Sequence, residues 1–275
     1  MAPIDACHIV QLSHNDMEQA CSLSMEAGWN QTERDWDLFF SHGVVFGTFA
    51  LPGQLAASAA IMPYGDDIAW ISMVLTKAKW RGRGFGTALL KHCLQWSEQQ
   101  KRVAYLDATP AGEAIYRSLG FQPSLRITRW QGTGSGTNDE VSSNHHAADA
   151  IKMANMAFGA DRSFLLESFL KRVPATLTHT GASVACFARD GRIAWQIGPV
   201  VSMSEREGTD CIEAMIRQLS GSVFIDLPDD CIHAAQRLTE LGFTKQRSFL
   251  RMYKGKDHAQ KPPYRTIAIT GPEFG

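Results

Sequence analysis

Residues 81–86 (RGRGFG) combine residue types that could bind an anion. Alternating glycines let the backbone approach a bulky group and adopt torsion angles that other residues avoid. Apolar residues at helical spacing follow from Gly84, and a helix start presents free N–H groups and a positive dipole end. Two arginines add local positive charge. The segment predicts a diphosphate-binding loop; a glycine-rich turn without a ligand is the plainer alternative.

A dinucleotide site is one alternative for this diphosphate. Its Gly-x-Gly-x-x-Gly pattern requires glycine at position 87, where the sequence has Thr87, although Asp107 lies about 20 residues onward, where a ribose-binding acid would be. Five residues, 77–81, separate the preceding strand from the first glycine, and a second βαβ half is absent. A nucleotide-dependent oxidoreductase is therefore disfavoured but stays open.

Alternating strand and helix patterns position this loop in the first half of the chain. Apolar segments predict strands at 7–12, 44–51, 54–63, 67–76, 103–106 and 124–131. Helical spacing and capping residues predict helices from 15 or 16 to 27, from 32 or 35 to 40, over 84–99 and over 111–119. Pro52 and Gly53 predict a hairpin turn, and Gly120 closes the last helix.

A polar segment rich in glycine and serine, residues 132–144, predicts a linker between two domains, 1–131 and 145–275. The second half repeats the first faintly. Residues 69–71 (AWI) are echoed at 194–196 (AWQ), Leu106-Asp107 at Ile225-Asp226, and 119–121 (LGF) at 241–243. Nearly constant offsets indicate one duplicated unit.

Composition excludes several function classes. The net charge of -1 and pI of about 6.7 give no global attraction to nucleic acid or to an anionic membrane. No leader or membrane-spanning apolar segment is expected. The six cysteines are far apart, and the His145-His146 pair lacks partners at ligand spacing. We expect no metal, free thiols and a cytoplasmic protein.

Three segments of the first half occur in an order that is typical of one protein family. They are 74–76 (VLT) at a strand end, the loop 81–86, and Tyr116 followed by Leu-Gly-Phe at 119–121. This order resembles the GNAT superfamily of N-acetyltransferases, which has Arg/Gln-x-x-Gly-x-Gly/Ala at the start of a central helix and a later helix with Tyr before Leu-Gly-Phe. The resemblance covers about residues 7–131 and extends in outline to the second half.

The resemblance implies an α/β (α+β) fold of two tandem GNAT-like domains, each a mixed, mostly antiparallel sheet flanked by helices. It implies direct transfer from acetyl-CoA, or another acyl-CoA, to a small-molecule or protein amine by a monomer or homodimer. Two positions depart from the family: Ala78 replaces a usual Pro, and Thr109 a frequent Asn. The implied cofactor residues are Val74, Leu75, Thr76, Arg81, Gly82, Arg83, Gly84, Phe85, Gly86, Thr87, Thr109 and Tyr116.

The same resemblance suggests catalytic roles. Tyr116 stands where the family places the acid that protonates the leaving thiolate, although a core aromatic is its plainer interpretation. Glu26 and Asp107 are candidate bases. The residues expected to contact the acceptor are Trp29, Asn30 and Trp70. A CoA-binding sensor or scaffold without catalysis is the main alternative to an enzyme.

The second half is expected to have lost the cofactor site. Carrying the repeat forward places Arg206 opposite Arg81, within a segment rich in carboxylates, and Leu238 opposite Tyr116. Carboxylates would repel a phosphate. The alternating tail at 264–270 predicts a strand that docks on a sheet.

Overall fold

The computed structural model describes residues 8–137, 147–173, 178–181, 183–256 and 263–275. Strands and helices alternate in two successive halves, which confirms the expected mixed α/β fold of two tandem units. The first half contains β1 (Ile9–Gln11), α1 (Met17–Glu26), α2 (Glu33–His42), β2 (Val44–Leu51), β3 (Gln54–Tyr64), β4 (Ile68–Thr76), α3 (Phe85–Gln99), β5 (Val103–Ala108), α4 (Pro110–Ser118) and β6 (Gln122–Ser135).

The second half repeats this order from its first helix pair and then adds a strand. It contains α5 (Ala147–Phe158), α6 (Ser163–Arg172), β7 (Thr178–Thr180), β8 (Val184–Arg189), β9 (Trp195–Ser202), α7 (Glu205–Gln218), β10 (Ser220–Pro228), α8 (Ile232–Glu240), β11 (Thr244–Lys254) and β12 (Arg265–Ala268). Strands β9, β10 and β11 thus correspond to β4, β5 and β6, and helices α7 and α8 to α3 and α4. The predicted tail strand is observed as β12.

Local sequence accounts for several helix ends. Thr32 and Asp35 form a capping box at the start of α2, where each side chain accepts a hydrogen bond from the other residue's backbone N–H. Gly120 and Gly242 follow α4 and α8 with φ of +89° and +81°, a region that favours glycine. These two positions are counterparts in the repeat, so both copies stop this helix in the same way.

The segment predicted as a linker begins as a strand. Residues 132–135 continue β6 and pair with β10, from Gly132 opposite Val223 to Ser135 opposite Ser220. A Cβ at Gly132 would collide with Phe243. Glycine is present there because the strand packs closely, whereas composition alone suggested flexibility. The rest of the predicted linker that the structure omits, 138–144, and the His145-His146 pair lie outside the described residues.

The described strands form one continuous sheet in the order β1-β2-β3-β4-β5-β11-β6-β10-β9-β8-β7, with β12 beside β9. The last strand of each half pairs with a strand of the other half: β11 pairs with β5, and β6 pairs with β10. The two exchanged strands also pair with each other. The halves are therefore joined by a reciprocal strand exchange around a pseudo-two-fold axis between β11 and β6.

Two buried ion pairs mark this symmetry. On β11, Arg251 donates two hydrogen bonds of 2.9 Å to Asp107 on β5. On β6, Arg129 donates two of 2.7 Å to Asp226 on β10. Each carboxylate near the end of a central parallel strand is thus held by a guanidinium on the strand that the other half contributes.

Helices cover both faces of the sheet. Helices α1, α2, α5 and α6 pack on one face in a core that includes Trp36, Phe39 and Phe169. Helix α3 covers the other face of the first half, and α7 with α8 does so in the second. The helices thus leave the inter-half seam, where the strands are exchanged, to be closed by loops and by the tail.

Over the part of the chain that the structure describes, no helix is long and apolar enough to cross a membrane. The same residues contain no cluster of histidine, cysteine, aspartate or glutamate suited to a metal ion. The described cysteines are all buried free thiols. Cys7 lies outside the described residues.

Candidate functional site

The predicted cofactor segment lies where β4 and β5 separate. These parallel strands pair only as far as Trp70, and β4 continues to Thr76 without β5 as its neighbour. The ladder between β4 and β3 skips Met73 and Val74, and Met73 has φ of +51°. This irregularity is a β-bulge, which leaves a residue unpaired in the ladder. An opening edged by strand backbone is formed between β4 and β5.

The predicted diphosphate loop lies at the end of this opening. Gly82 and Gly84 have φ of +71° and +83°, so both need the left-handed region, and Gly84 precedes the first residue of α3. No side chain caps α3, and its first backbone bond runs from Ala88 to Gly84 at 2.9 Å. The N–H groups of the first turn are therefore available to an anion.

The two arginines of the loop are exposed and anchored differently. Arg81 donates from Nε to the carbonyl oxygen of Thr76 at 3.1 Å, and Arg83 lies over the ring of Trp80, 4.5 Å from its centroid. Both leave guanidinium N–H groups unused. A Cβ at Gly86 would meet only ordinary contacts with Thr76 and Val74. The loop is an open, positively charged cradle.

Tyr116 lies at the other side of the opening, on α4. Its ring covers Gly112 one turn earlier, where a Cβ would come within 2.8 Å of Cε2, and it meets Phe121 edge-on at 6.0 Å. Burial raises the pKa of Tyr116 to about 12. The phenol is thus a neutral proton donor fixed by packing. Thr109, the N-cap position of α4, lines the same space.

A pocket continues from this point toward the second half. One wall is the α1–α2 loop, residues 28–31; the floor is 71–74 of β4 with the end of β5; the far side comes from exchanged strands and from the tail. The far-side residues are Arg129, Phe224, Arg247, Phe249, Pro272 and Glu273. The pocket therefore joins the opening between β4 and β5 to residues of β6, β10, β11 and the tail.

Unpartnered hydrogen-bond acceptors line this pocket. Gln31 is 6% exposed and Ser72 is 9% exposed. Among the described residues, neither the amide oxygen of Gln31 nor the hydroxyl oxygen of Ser72 has a hydrogen-bond partner. Buried polar atoms are seldom left unsatisfied. A ligand that brings N–H donors would satisfy both.

Glu273, which sequence reasoning missed, adds a carboxylate. It is 4% exposed, lines the pocket and accepts a hydrogen bond from Arg189. Arg189 also contacts Asp35, whose other oxygen binds Arg172 at 2.7 Å. Burial opposes ionisation of Asp35, but Arg189 and Arg172 hold its pKa below the ordinary value. Asp107 and Glu273 are the two carboxylates among the described residues that line this pocket.

Both predicted bases have structural bonding partners. Glu26 is exposed outside the pocket and accepts a hydrogen bond of 2.6 Å from the backbone N–H of Ala78, so it supports the turn before the diphosphate loop. Burial raises the pKa of the Asp107 carboxyl, and Arg251 opposes this effect. The same aspartate–arginine pair recurs at Asp226 in the half without the loop, so the pair has a role in the fold of both halves.

Two of the three residues predicted to contact the acceptor substrate form hydrogen bonds with other parts of the chain. Asn30 borders the pocket, but its amide bonds Ile193 and Ala194 of the second half at 3.0 Å each. Trp70 is buried behind the tail, and its indole N–H donates to Pro272 at 3.1 Å. Both residues therefore hold the two halves and the tail together. Trp29 and Asn30 line the pocket, and Trp70 is not among its lining residues.

The second half has no equivalent of the loop. Strand β9 ends at Ser202 and α7 begins at Glu205, whereas residues 77–84 separate β4 from α3. Arg206, expected opposite Arg81, lies inside the first turn of α7. The strand pairing also shifts the alignment of the two halves by one residue. Gln196 on β9 pairs with β10 at the position where Trp70 on β4 pairs with β5, so Gln196 is the counterpart of Trp70. Leu238, opposite Tyr116 in the repeat, is a buried core residue.

The opening between β9 and β10 is filled by the chain's own tail. Strand β12 pairs with β9, and Ile269 donates to Asp226 of β10 at 3.0 Å. Arg265 binds Glu205 at 3.2 Å and Asp230 at 3.0 Å. Glu205, one of the carboxylates that were expected to repel a phosphate, binds an arginine of the tail. The tail then runs to the first half, where Phe274 stacks on Phe39 at 5.0 Å.

Both halves match known family models. The acetyltransferase (GNAT) family model matches residues 11–121, and an acetyltransferase (GNAT) domain model matches residues 150–266. The chain therefore belongs to the GNAT family and is an acetyltransferase built of two such units. The open loop, the bulged β4 and Tyr116 lie in the first match, and the tail-filled cleft lies in the second.

Relatives share this length and layout. YitH of Bacillus subtilis (strain 168), described as an uncharacterized N-acetyltransferase, is 22% identical over 86% of this chain and 88% of its own. A holothin acyltransferase of Pseudoalteromonas sp. (strain SANK 73390) is 23% identical over 94% and 90%. A crystal structure from Pyrococcus horikoshii, thought to be an acetyltransferase, superposes with a TM-score of 0.77 at 19% identity, covering 94% and 93%.

Proposed function

We propose that the protein transfers the acyl group of acetyl-CoA, or of another acyl-CoA, directly to an amine in a ternary complex. The observation that carries this proposal is the continuity of one opening. It starts at the uncapped first turn of α3, follows the bulged β4, passes Tyr116 and ends in a pocket with unpartnered hydrogen-bond acceptors. A small-molecule amine suits this pocket better than a protein chain, because loop 28–31 and the tail wall it.

The cofactor's diphosphate would occupy the cradle formed by residues 81–87. Its pantetheine arm would lie between β4 and β5 along Val74, Leu75 and Thr76, where strand backbone is unpaired. Because the Leu75 side chain is buried in the core, this residue would act through its backbone. Thr109 would meet the arm from the β5 side. This placement brings the thioester to the bulge at Met73 and Val74, and the bulge backbone would polarise its carbonyl.

An acceptor amine arrives largely protonated, since such amines have a pKa near ~10.4. In our proposal Gln31, Ser72 and Glu273 bind the ammonium group, and Glu273 takes its proton. The free amine attacks the thioester carbon and gives a tetrahedral intermediate with a positively charged nitrogen. When this intermediate collapses, the carbon–sulfur bond breaks, the leaving thiolate takes the proton of Tyr116, and the nitrogen gives its remaining extra proton to the phenolate, which restores Tyr116. Glu273 here replaces Glu26 and Asp107 as the base, and no covalent enzyme intermediate is needed.

The test is release of free CoA thiol by the full chain from acetyl-CoA across a panel of amines. Removing a general acid typically costs ~100-fold or more, so Tyr116→Phe should lower kcat by this factor and leave CoA affinity unchanged. Tyr253→Phe removes a phenol from β11 outside the pocket and should behave as wild type. Burial raises the pKa of Tyr116 to about 12; the acid therefore stays protonated and kcat should not decline below pH 10 for want of it.

Other outcomes would identify other functions. Tight CoA binding with no transfer to any amine would indicate a sensor. A melting temperature that rises with NAD(H) and not with acetyl-CoA would indicate a dinucleotide enzyme, since only a ligand of the folded state stabilises it. Full activity of Tyr116→Phe would remove the phenol from the mechanism.

A further inference from the structure

Two arginines stand on the far side of the pocket. Arg247 on β11 lies directly opposite Arg129 on β6, and both line the pocket. Like charges that face each other across two strands repel. Asp226 is the carboxylate at this place, and Arg129 engages both of its oxygens at 2.7 Å. Arg247 bonds only the amide oxygen of Gln246, at 3.1 Å, and forms no ion pair with any described residue.

The pseudo-two-fold axis shows that the fold does not require this second arginine. The register that places Arg247 opposite Arg129 places Leu125 opposite Arg251. Leu125 is thus the counterpart of Arg247, and the Asp107–Arg251 pair is complete beside a leucine. The additional cation occurs only on the copy whose facing strand residues, Arg129 and Arg247, both line the pocket. Burial and the neighbouring Arg129 lower the pKa of Arg247, so an anion there would relieve a real cost.

The same lining also contains hydrogen-bond acceptors. Glu273, the amide oxygen of Gln31 and the hydroxyl of Ser72 offer acceptors and no fixed positive charge toward a ligand. Arg189, which holds Glu273, is also shared with Asp35. The lining therefore offers acceptors for an ammonium group and a guanidinium for an anion, within a single pocket.

We infer that the acceptor carries a carboxylate as well as its amine, as an amino acid does, and that Arg247 binds this carboxylate. This inference rests on the proposed acyl transfer for the amine end. The guanidinium of Arg247 can meet a carboxylate with two parallel N–H donors, and such charged pairs are the strong ones. Arg129 adds to the local potential but keeps its own bonds to Asp226.

The experiment compares matched acceptors with the full chain. Free amino acids are assayed beside their carboxamides, which keep the amine and lose the charge, and kcat/KM is measured for each pair. We expect the carboxylate form of the best pair to be favoured by roughly 10- to 100-fold, the range expected for one charged hydrogen-bonded contact. Arg247→Gln should reduce this preference to within about threefold, chiefly through KM, and Arg247→Lys should keep part of it.

Lys245→Gln is the matched control, because it removes a cation from the same strand at an exposed position that does not line the pocket. It should keep the wild-type preference. Equal use of acids and amides, or an Arg247→Gln variant with an unchanged preference, would overturn the inference while acyl transfer stands.

A binding readout separates this inference from the proposed function. The melting temperature is measured with the same amino acids and carboxamides in the presence of CoA. Stabilisation by the acid alone, lost in Arg247→Gln, would support the anion site even if no thioester were consumed. No turnover with any amine would instead refute the acyl transfer, and no stabilisation by any carboxylate would refute the anion site.

Discussion

The two halves of this protein contain the same opening between central parallel strands, and they use it in opposite ways. In the first half the opening leads from an uncapped, arginine-flanked helix start to a pocket. In the second half the loop between strand and helix is missing, and β12 lies in the opening with Arg265 bound to Glu205 and Asp230. An opening that no longer takes a ligand has become a binding site for the chain itself.

The tail connects these two uses. After filling the second opening it packs Phe274 into the first half's core, where the ring stacks on Phe39. Arg162 fixes the same stretch through the carbonyl oxygens of Phe274 and Gly275. This anchoring places Pro272 and Glu273 in the pocket wall. The half that lost its own site thereby helps to build the other one.

The largest expected effect tests whether the two buried ion pairs are equivalent. Asp107→Asn and Asp226→Asn should each destabilise the protein by about 3 to 5 kcal/mol, because each leaves a buried guanidinium without its charge partner. Urea unfolding measures both. If Asp107 serves only the fold, the two losses should agree to within about 1 kcal/mol.

Activity then distinguishes a structural pair from a catalytic one. At a temperature where both variants stay folded, Asp107→Asn should keep kcat within about tenfold of wild type, whereas loss of a general base costs ~100-fold or more. A deep loss of kcat confined to Asp107→Asn would return this carboxylate to the candidate bases.

A second comparison addresses the cofactor. Arg81→Glu places a carboxylate beside the proposed diphosphate site and should weaken CoA binding by roughly 100-fold, the loss of one charged contact plus repulsion. Arg206→Glu makes the same change in the first turn of α7 and should leave CoA binding unaltered. Isothermal titration should give one CoA per chain. Two sites, or equal losses in both variants, would contradict a single working opening.

The smallest expected effect concerns the space beside each helix start. A Cβ at Gly208 would come within 2.5 Å of Ile267 on β12, whereas one at Gly86 would approach nothing closer than 3.6 Å. Gly208→Ala should therefore cost about 1 to 3 kcal/mol through overpacking, and Gly86→Ala should change unfolding stability by less than about 0.5 kcal/mol. Thermal or urea unfolding of both variants checks this. A tolerated alanine at 208 would mean that the tail does not fill the second opening.

The sequence was sufficient for features encoded locally. The glycines at 82, 84 and 120 indicated the loop and a helix end, because these positions need positive φ. The duplication was visible in 119–121 and 241–243, whose glycines end equivalent helices.

Features set by distant partners were not predictable in this way. The strand exchange depends on which edge β6 meets after residue 121, and composition at 132–135 suggested a linker because close packing and flexibility both select glycine. Glu273 gave no signal, since its role depends on Arg189 and on a tail anchored in another half. Asn30 looked like a ligand-binding residue because nothing nearby in sequence reveals its bonds to Ala194.

The strand exchange has a consequence for folding during synthesis on the ribosome. Asp107 and its partner Arg251 are 144 positions apart in sequence, so β5 leaves the exit tunnel long before the strand that covers its edge exists. An uncovered strand edge invites pairing with other chains. A gene cut between the two halves would yield a first half with its diphosphate loop and Tyr116 but without Glu273 and Arg247, and with its sheet incomplete. Neither half can therefore be deleted from the gene without leaving the sheet of the other half incomplete.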